Sequence, residues 1–170
     1  MAQNLKKELK SKLSGAARVA ILGIGSQLKG DDAAGILIAD GLRKSLAPAG
    51  DGKNPKRTEA GIFIGGTAPE NITGEIKRFS PSHLIIIDAA DMDGVPGEIR
   101  LIDPEHIGGI SFSTHNLPAN MLIEYLKQFL KCEVIIIGIQ PKSIEFGKEL
   151  SAEMTKSAKL LSDMLLDVLR

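Results

Sequence analysis

Two groups of carboxylates and one histidine are the residues whose types and placement could do chemistry. Asp31 and Asp32 follow Gly30, Asp88 ends the apolar run Leu84 to Ile87 with Asp91 and Asp93 just beyond, and His115 stands in Ser113-Thr114-His115-Asn116. Two carboxylates and one imidazole suit a borderline divalent ion such as nickel or zinc, with the Asp side chains ionised and the His neutral. Three protein ligands leave coordination positions open for substrate groups or a water, which a catalytic or recognition site needs and a closed structural site lacks. The candidates are spread over more than eighty residues, so their spacing does not establish a common site.

Each candidate has a plainer reading. Acids at a helix N-terminus cap it and compensate its dipole, which would account for Asp31 and Asp32. Asp88 could accept hydrogen bonds from loop N–H groups, and Asp91 and Asp93 read as turn formers. A lone histidine before a helix is more often a structural hydrogen bonder, so His115 matters only if it meets the carboxylates. His83 precedes a strand and His106 follows Asp103-Pro104 in a turn, and both look incidental. The single Cys132 cannot form an internal disulfide and reads as a small core residue. Neither a Gly-x-Ser-x-Gly elbow nor an HExxH helix is present, and Cys132 has no evident histidine partner.

The elements that must position these residues alternate between strands and helices. Strands are expected at Arg18 to Gly23, Gly61 to Ile64, His83 to Asp88, Glu98 to Ile102 and Glu133 to Ile139. The fourth follows the third too closely for a parallel crossover and should run antiparallel at an edge. Helices are expected from Asp31 (core face Ala34, Ile38, Leu42, Leu46) and over Pro69 to Phe79. A further helix from Leu117 carries the stripe Leu122, Tyr125, Leu126, Phe129, Leu130, with Asn116 as N-cap and Pro118 in its first turn. The last, from Ser151, faces the core with Met154, Ala158, Leu161, Leu165 and Val168. The pattern implies a single α/β domain over 1–170. It is a three-layer sandwich with a mainly parallel five-stranded twisted sheet, one antiparallel edge strand and helices on both faces.

Residues 1–15 form an N-terminal helical extension with an apolar stripe Leu5, Leu9, Leu13, free either to dock on the domain or a partner or to remain solvated. Pro48 to Arg57 reads as an exposed connection. In such a sheet ligands bind beyond the carboxyl ends of the strands, where the loops after strands one and three hold the acids.

Bulk properties remove several classes. Lys plus Arg balances Asp plus Glu at 21 each, so no basic field exists to hold nucleic acid. The longest apolar runs are strand-sized, far below the roughly 20 residues of a membrane span, and the charged stretch Asn4 to Ser14 is no secretory leader. The expectation is a cytoplasmic protein without membrane insertion, and a monomer.

Six segments together resemble the hydrogenase maturation protease family, most closely its hydrogenase 3 maturation endopeptidase branch. They are Leu22 to Gly35 (LGIGSQLKGDDAAG), Gly65 to Asn71 (GGTAPEN), Leu84 to Met92 (LIIIDAADM), Pro96 to Pro104 (PGEIRLIDP), Thr114 to Pro118 (THNLP) and Gly138 to Pro141 (GIQP). In order, they cover the chain from about residue 18 onward. The resemblance implies metal ligands at Asp32, Asp88 and His115, which would also be the catalytic residues, with Gly65 to Asn71 lining the substrate; Asp31 reads either as a group supporting those ligands or as a helix cap, with the cap preferred. It further implies a nickel-dependent endopeptidase that removes the C-terminal extension of a [NiFe]-hydrogenase large-subunit precursor after nickel insertion. Nickel would arrive with that precursor as the recognition signal, and other divalent ions could occupy the site in vitro. Gly23 and Gly25 most simply permit a tight turn nearby.

Two rival readings remain at this point. A response-regulator-like phosphate domain shares the layout of acids, but here they lie seven residues beyond strand one and GIQP supplies no lysine. A non-catalytic nickel-binding assembly chaperone could use the same three ligands. The metal could polarise the scissile carbonyl or activate water, or it could only position the tail while an aspartate does acid–base work.

Overall fold

The computed structural model describes residues 2–46, 58–105, 107, 110–112 and 119–169. The runs of Val, Ile and Leu fold as strands buried on both faces, as a covered parallel sheet requires. Strands β1 (Arg18–Ile24), β2 (Glu59–Gly66), β3 (His83–Asp91) and β6 (Glu133–Ile139) run parallel, and β4 (Ile99–Ile102) lies antiparallel along β6. The spatial order is β2-β1-β3-β6-β4. Ile21 is in register with Ile62 of β2 and Ile85 of β3, and Ile85 with Ile135 of β6, so one row of branched side chains crosses the sheet.

All five expected strands are present, and the antiparallel edge falls where the short connection demanded it. Two details differ. A further two-residue strand, β5 (Ser111–Phe112), pairs antiparallel with Ala90 and Asp91. Strand β3 therefore does not end at Asp88: Asp88 and Ala89 still pair with Gly138 and Ile139 of β6, and the next two residues pair with β5. Asp88 is an interior strand residue, in register with Gly138 of β6.

Helices α1 (Ala2–Lys12), α2 (Ala34–Leu46) and α5 (Ala152–Leu169) pack on one face, against Val19, Ile21, Ile85, Ile87, Ile135 and Ile137. Helices α3 (Thr73–Phe79) and α4 (Ala119–Phe129) pack on the other, against Ala20, Leu22, Leu84, Ile86 and Ile136. The N-terminal helix docks on the domain: Leu9 and Leu13 are buried, Leu5 packs beside them, and Lys6 and Lys10 both pair with Asp167 of α5.

The apolar stripe of α4 is rotated from the expected one. Leu122, Ile123, Leu126 and Leu130 are buried, whereas Tyr125 and Phe129 are exposed and pack on each other at 4.7 Å between ring centres. Lys77 of α3 covers the Phe129 ring at 4.1 Å, which gives that ring a partner outside the core. Pro48 to Arg57, Asn116 and Pro118 lie outside the described residues.

Candidate functional site

At the carboxyl end of β1 the chain turns through Gly25, whose φ of 140° is open to glycine. A methyl group there would collide with the Asp32 carbonyl oxygen and sit 3.8 Å from the Asp32 carboxyl carbon. The turn is closed by hydrogen bonds from Ser26 N to Asp32 O at 3.3 Å and from Asp32 N to Lys29 O at 3.0 Å. Gly25 N also donates to Gly66 O of β2 at 3.0 Å. A 3-10 turn, Gly30–Ala33, then leads into α2 and leaves Asp32 fully buried. Gly25 serves a tight turn as expected, but Gly23 does not: it has no positive φ and instead allows α2 to approach β1.

Asp88 is 1 % exposed and lies on the α4 face of β3, the face it shares with Ile86 and Ala90. It lines a small cavity with Ile24, Ile86, Phe112, Leu122, Ile123 and Ile136. The register Gly23 to Ile87 sets Asp88 beside Ile24, the last residue of β1, and the Gly25 turn that contacts Asp32 follows at once. Asp32 and Asp88 thus lie at one end of the sheet, on two sides of the point where β1 leaves it. Burying ionised carboxylates in such surroundings requires hydrogen bonds, counter-charge or a cation to hold them.

His115 lies outside the described residues. Among the described residues no three His, Cys, Asp or Glu side chains gather closely enough to hold a metal ion. Phe112, the last described residue before that histidine, and Leu122 of α4 line the same cavity as Asp88. Two buried carboxylate donors completed by an imidazole from this loop would fit a divalent ion of nickel or zinc type.

Asp31 has another task than the expected cap of its own helix. Its carboxylate accepts from Ser151 N at 2.7 Å, Ser151 Oγ at 2.9 Å, Lys142 N at 2.7 Å and Ser143 N at 3.4 Å. Asp31 therefore ties the β1–α2 turn to the loop after β6 and to the start of α5, where Ser151 Oγ accepts from Met154 N at 3.1 Å. The partners lie more than a hundred positions away, which no local pattern reveals.

Gln140 was likewise missed as a functional residue. It is buried, its Oε1 accepts from Met92 N at 2.7 Å and Gly94 N at 3.1 Å, and its Nε2 donates to Asp91 Oδ1 at 3.1 Å. Asp91 also accepts from Asp93 N, and Asp93 has a φ of 52°, so both shape this turn, although Asp91 is the last residue of β3 rather than a loop residue. A cleft of about 380 Å³ opens beside this knot, lined by Asp91, Ser111, Phe112, Gln140, Lys142 and Ile144 among others. At its rim Lys142 pairs with Glu153 at 2.8 Å, which raises the lysine pKa and lowers that of the glutamate.

Of the remaining candidates, His106 lies outside the described residues and the other two sit away from the site. His83 starts β3 at the opposite end of the sheet, where Nδ1 meets Ser82 Oγ at 2.9 Å and Nε2 lies 3.5 Å from Glu133. Cys132 directly precedes β6 at that same far end and is only half-buried rather than a full core residue. Burial pushes its thiol pKa up, which disfavours the thiolate a nucleophile needs.

Comparison with known proteins gives a consistent picture. The family model described as hydrogenase maturation protease matches residues 51–168. The hydrogenase 3 maturation protease of Escherichia coli K12 is 41% identical over 127 residues, covering 74% of this chain and 74% of that protein. The crystal structure of the [NiFe] hydrogenase maturation protease HycI from Thermococcus kodakarensis KOD1 superposes with a TM-score of 0.81 at 32% identity, over 95% of this chain and 98% of that one. The solution structure of the endopeptidase HycI from Escherichia coli superposes with a TM-score of 0.69 at 36% identity, over 86% and 87% of the two chains.

Proposed function

The chain belongs to the hydrogenase maturation protease family, whose members are peptide hydrolases, and from that premise we propose that it trims the C-terminal extension from a [NiFe]-hydrogenase large-subunit precursor once nickel is in place. The observation that carries this reading is the pair of buried carboxylates at the carboxyl edge of the sheet, Asp32 in the turn beyond β1 and Asp88 within β3. That edge is where open α/β sheets bind their ligands.

In this reading nickel belongs to the substrate. Asp32, Asp88 and His115 hold it, and in doing so recognise a precursor that is ready to be cut. In the sequence His115 follows three positions after Phe112, which lines the cavity beside Asp88. Nickel held there would supply Lewis-acid polarisation of the scissile carbonyl. The ionised carboxylates fix its position, and one of them takes the proton of the attacking water. The segment Gly65 to Asn71 joins β2 to α3 at the same edge and lines the path of the tail. The work is placed in the cytoplasm, by a monomer. Among the described residues no helix is long and apolar enough to cross a membrane.

The test compares nickel-loaded and nickel-free precursor, each incubated with the protein and read by intact mass. A C-terminal peptide should leave the nickel-loaded precursor alone. Equal release from both would remove nickel as the signal, and stable binding without release would favour an assembly chaperone.

A further inference from the structure

We propose that Asp31 is a positioning residue, a clamp that sets the carboxylate of Asp32 by locking the β1–α2 turn against the loop following β6. The proposal rests on the reading of Asp32 as a nickel ligand. Two adjacent acids, Asp31 and Asp32, are both buried, and the structure separates their roles.

A carboxylate offers about four lone-pair sites on its two oxygens. Asp31 accepts from four donors: Ser151 N on Oδ1, and Lys142 N, Ser143 N and Ser151 Oγ on Oδ2. Oδ2 is saturated and the orientation of the whole carboxylate is fixed by these donors. The clamp is reinforced by main-chain bonds between the same two loops: Gly30 N to Lys148 O at 3.1 Å, Asp31 N to Ser143 O at 2.9 Å and Gly147 N to Leu28 O at 2.8 Å. Asp32, the next residue, closes the turn through Ser26 N and Lys29 O. Any slip of Asp31 therefore moves the backbone that carries the Asp32 carboxylate. Residues that orient a ligand in this way change metal affinity by about 10–100-fold when altered.

Asp31→Asn keeps the shape but replaces one acceptor oxygen by an NH2 group, which faces donors it cannot satisfy. The experiment measures, for the whole chain, hydrogen exchange at Ser26 and Asp32 and the affinity for Ni²⁺ alone. Leu9→Ala serves as control, because it destabilises through the packing of α1 on the domain rather than through the hydrogen bonds of the turn. Asp31→Asn should lower protection at both amides, and Ni²⁺ affinity by about tenfold or more, while Leu9→Ala leaves both near wild type. Unchanged protection and affinity in Asp31→Asn, or equal losses in Leu9→Ala, would overturn the clamp. If the wild type neither binds Ni²⁺ nor cuts the precursor, the reading of Asp32 as a nickel ligand fails by itself. The amide protection then still decides whether Asp31 holds the turn.

Discussion

Gly23 of β1 and Gly35 of α2 meet backbone to backbone at the edge of the site. A methyl on Gly23 would collide with the Gly35 carbonyl oxygen, and one on Gly35 with the carbonyls of Ile24 and Ile87. The contact brings the first turn of α2 down onto the ends of β1 and β3, which sets Asp32 near Asp88. Gly35→Ala should therefore destabilise by about 1–3 kcal/mol through overpacking and slow precursor cutting. Gly41 lies in the same helix with open space around it. Gly41→Ala should stabilise by up to about 1 kcal/mol, from helix propensity alone, and leave cutting unchanged. Denaturant unfolding of the two variants checks the contrast.

How far the sequence foretells this arrangement depends on the range of the interaction. Strands β1, β2, β3, β4 and β6 were legible because unbroken Val, Ile and Leu runs admit few alternatives, and the edge position of β4 followed from connection length. Strand β5 was not, since two residues have no periodicity. In α4 the expected stripe was out of phase, because Tyr125 and Phe129 satisfy each other and Lys77 outside the core. Asp32 and Asp88 were legible from their place beyond or within apolar strands. The clamp of Asp31 and the knot of Gln140 were not, since their partners lie 111 to 120 and 46 to 49 positions away.

Gln140 holds the β3–β4 loop, so removing its amide should loosen that loop. Gln140→Leu leaves Met92 N and Gly94 N without their buried acceptor, a loss of about 1–3 kcal/mol. Hydrogen exchange should locate the opening at 92–97, with β1 and β2 unaffected. Uniform loss of protection over the sheet would contradict a local knot.

The docking of α1 combines burial with charge. Leu9→Ala should cost about 2–5 kcal/mol, because its side chain is fully buried. Hydrogen bonds from Lys6 and then Lys10 hold the Asp167 pKa below its ordinary value of 3.8. A depressed folded pKa means that the contribution is present above 3.8 and is lost as pH falls through the folded value. Exchange of the α1 amides should therefore rise, relative to the intrinsic rate, on acidification below about pH 4. Asp167→Asn should remove that dependence.

Cys132 takes no part in the chemistry. Its raised thiol pKa and its place at the far end of the sheet predict slow alkylation by iodoacetamide at neutral pH. Cys132→Ser should cut the precursor within about twofold of wild type. Loss of cutting in a folded Cys132→Ser would point to a thiol mechanism instead.

On the proposed function, the buried carboxylates of Asp32, beyond β1, and Asp88, within β3, carry out the hydrolysis. The most direct measurement is release of the C-terminal peptide from nickel-loaded precursor by Asp88→Ala, with circular dichroism showing the fold retained. The account predicts a fall of at least about a hundredfold, on the order of 2.7 kcal/mol in the barrier. Cutting at the wild-type rate by that variant would contradict it.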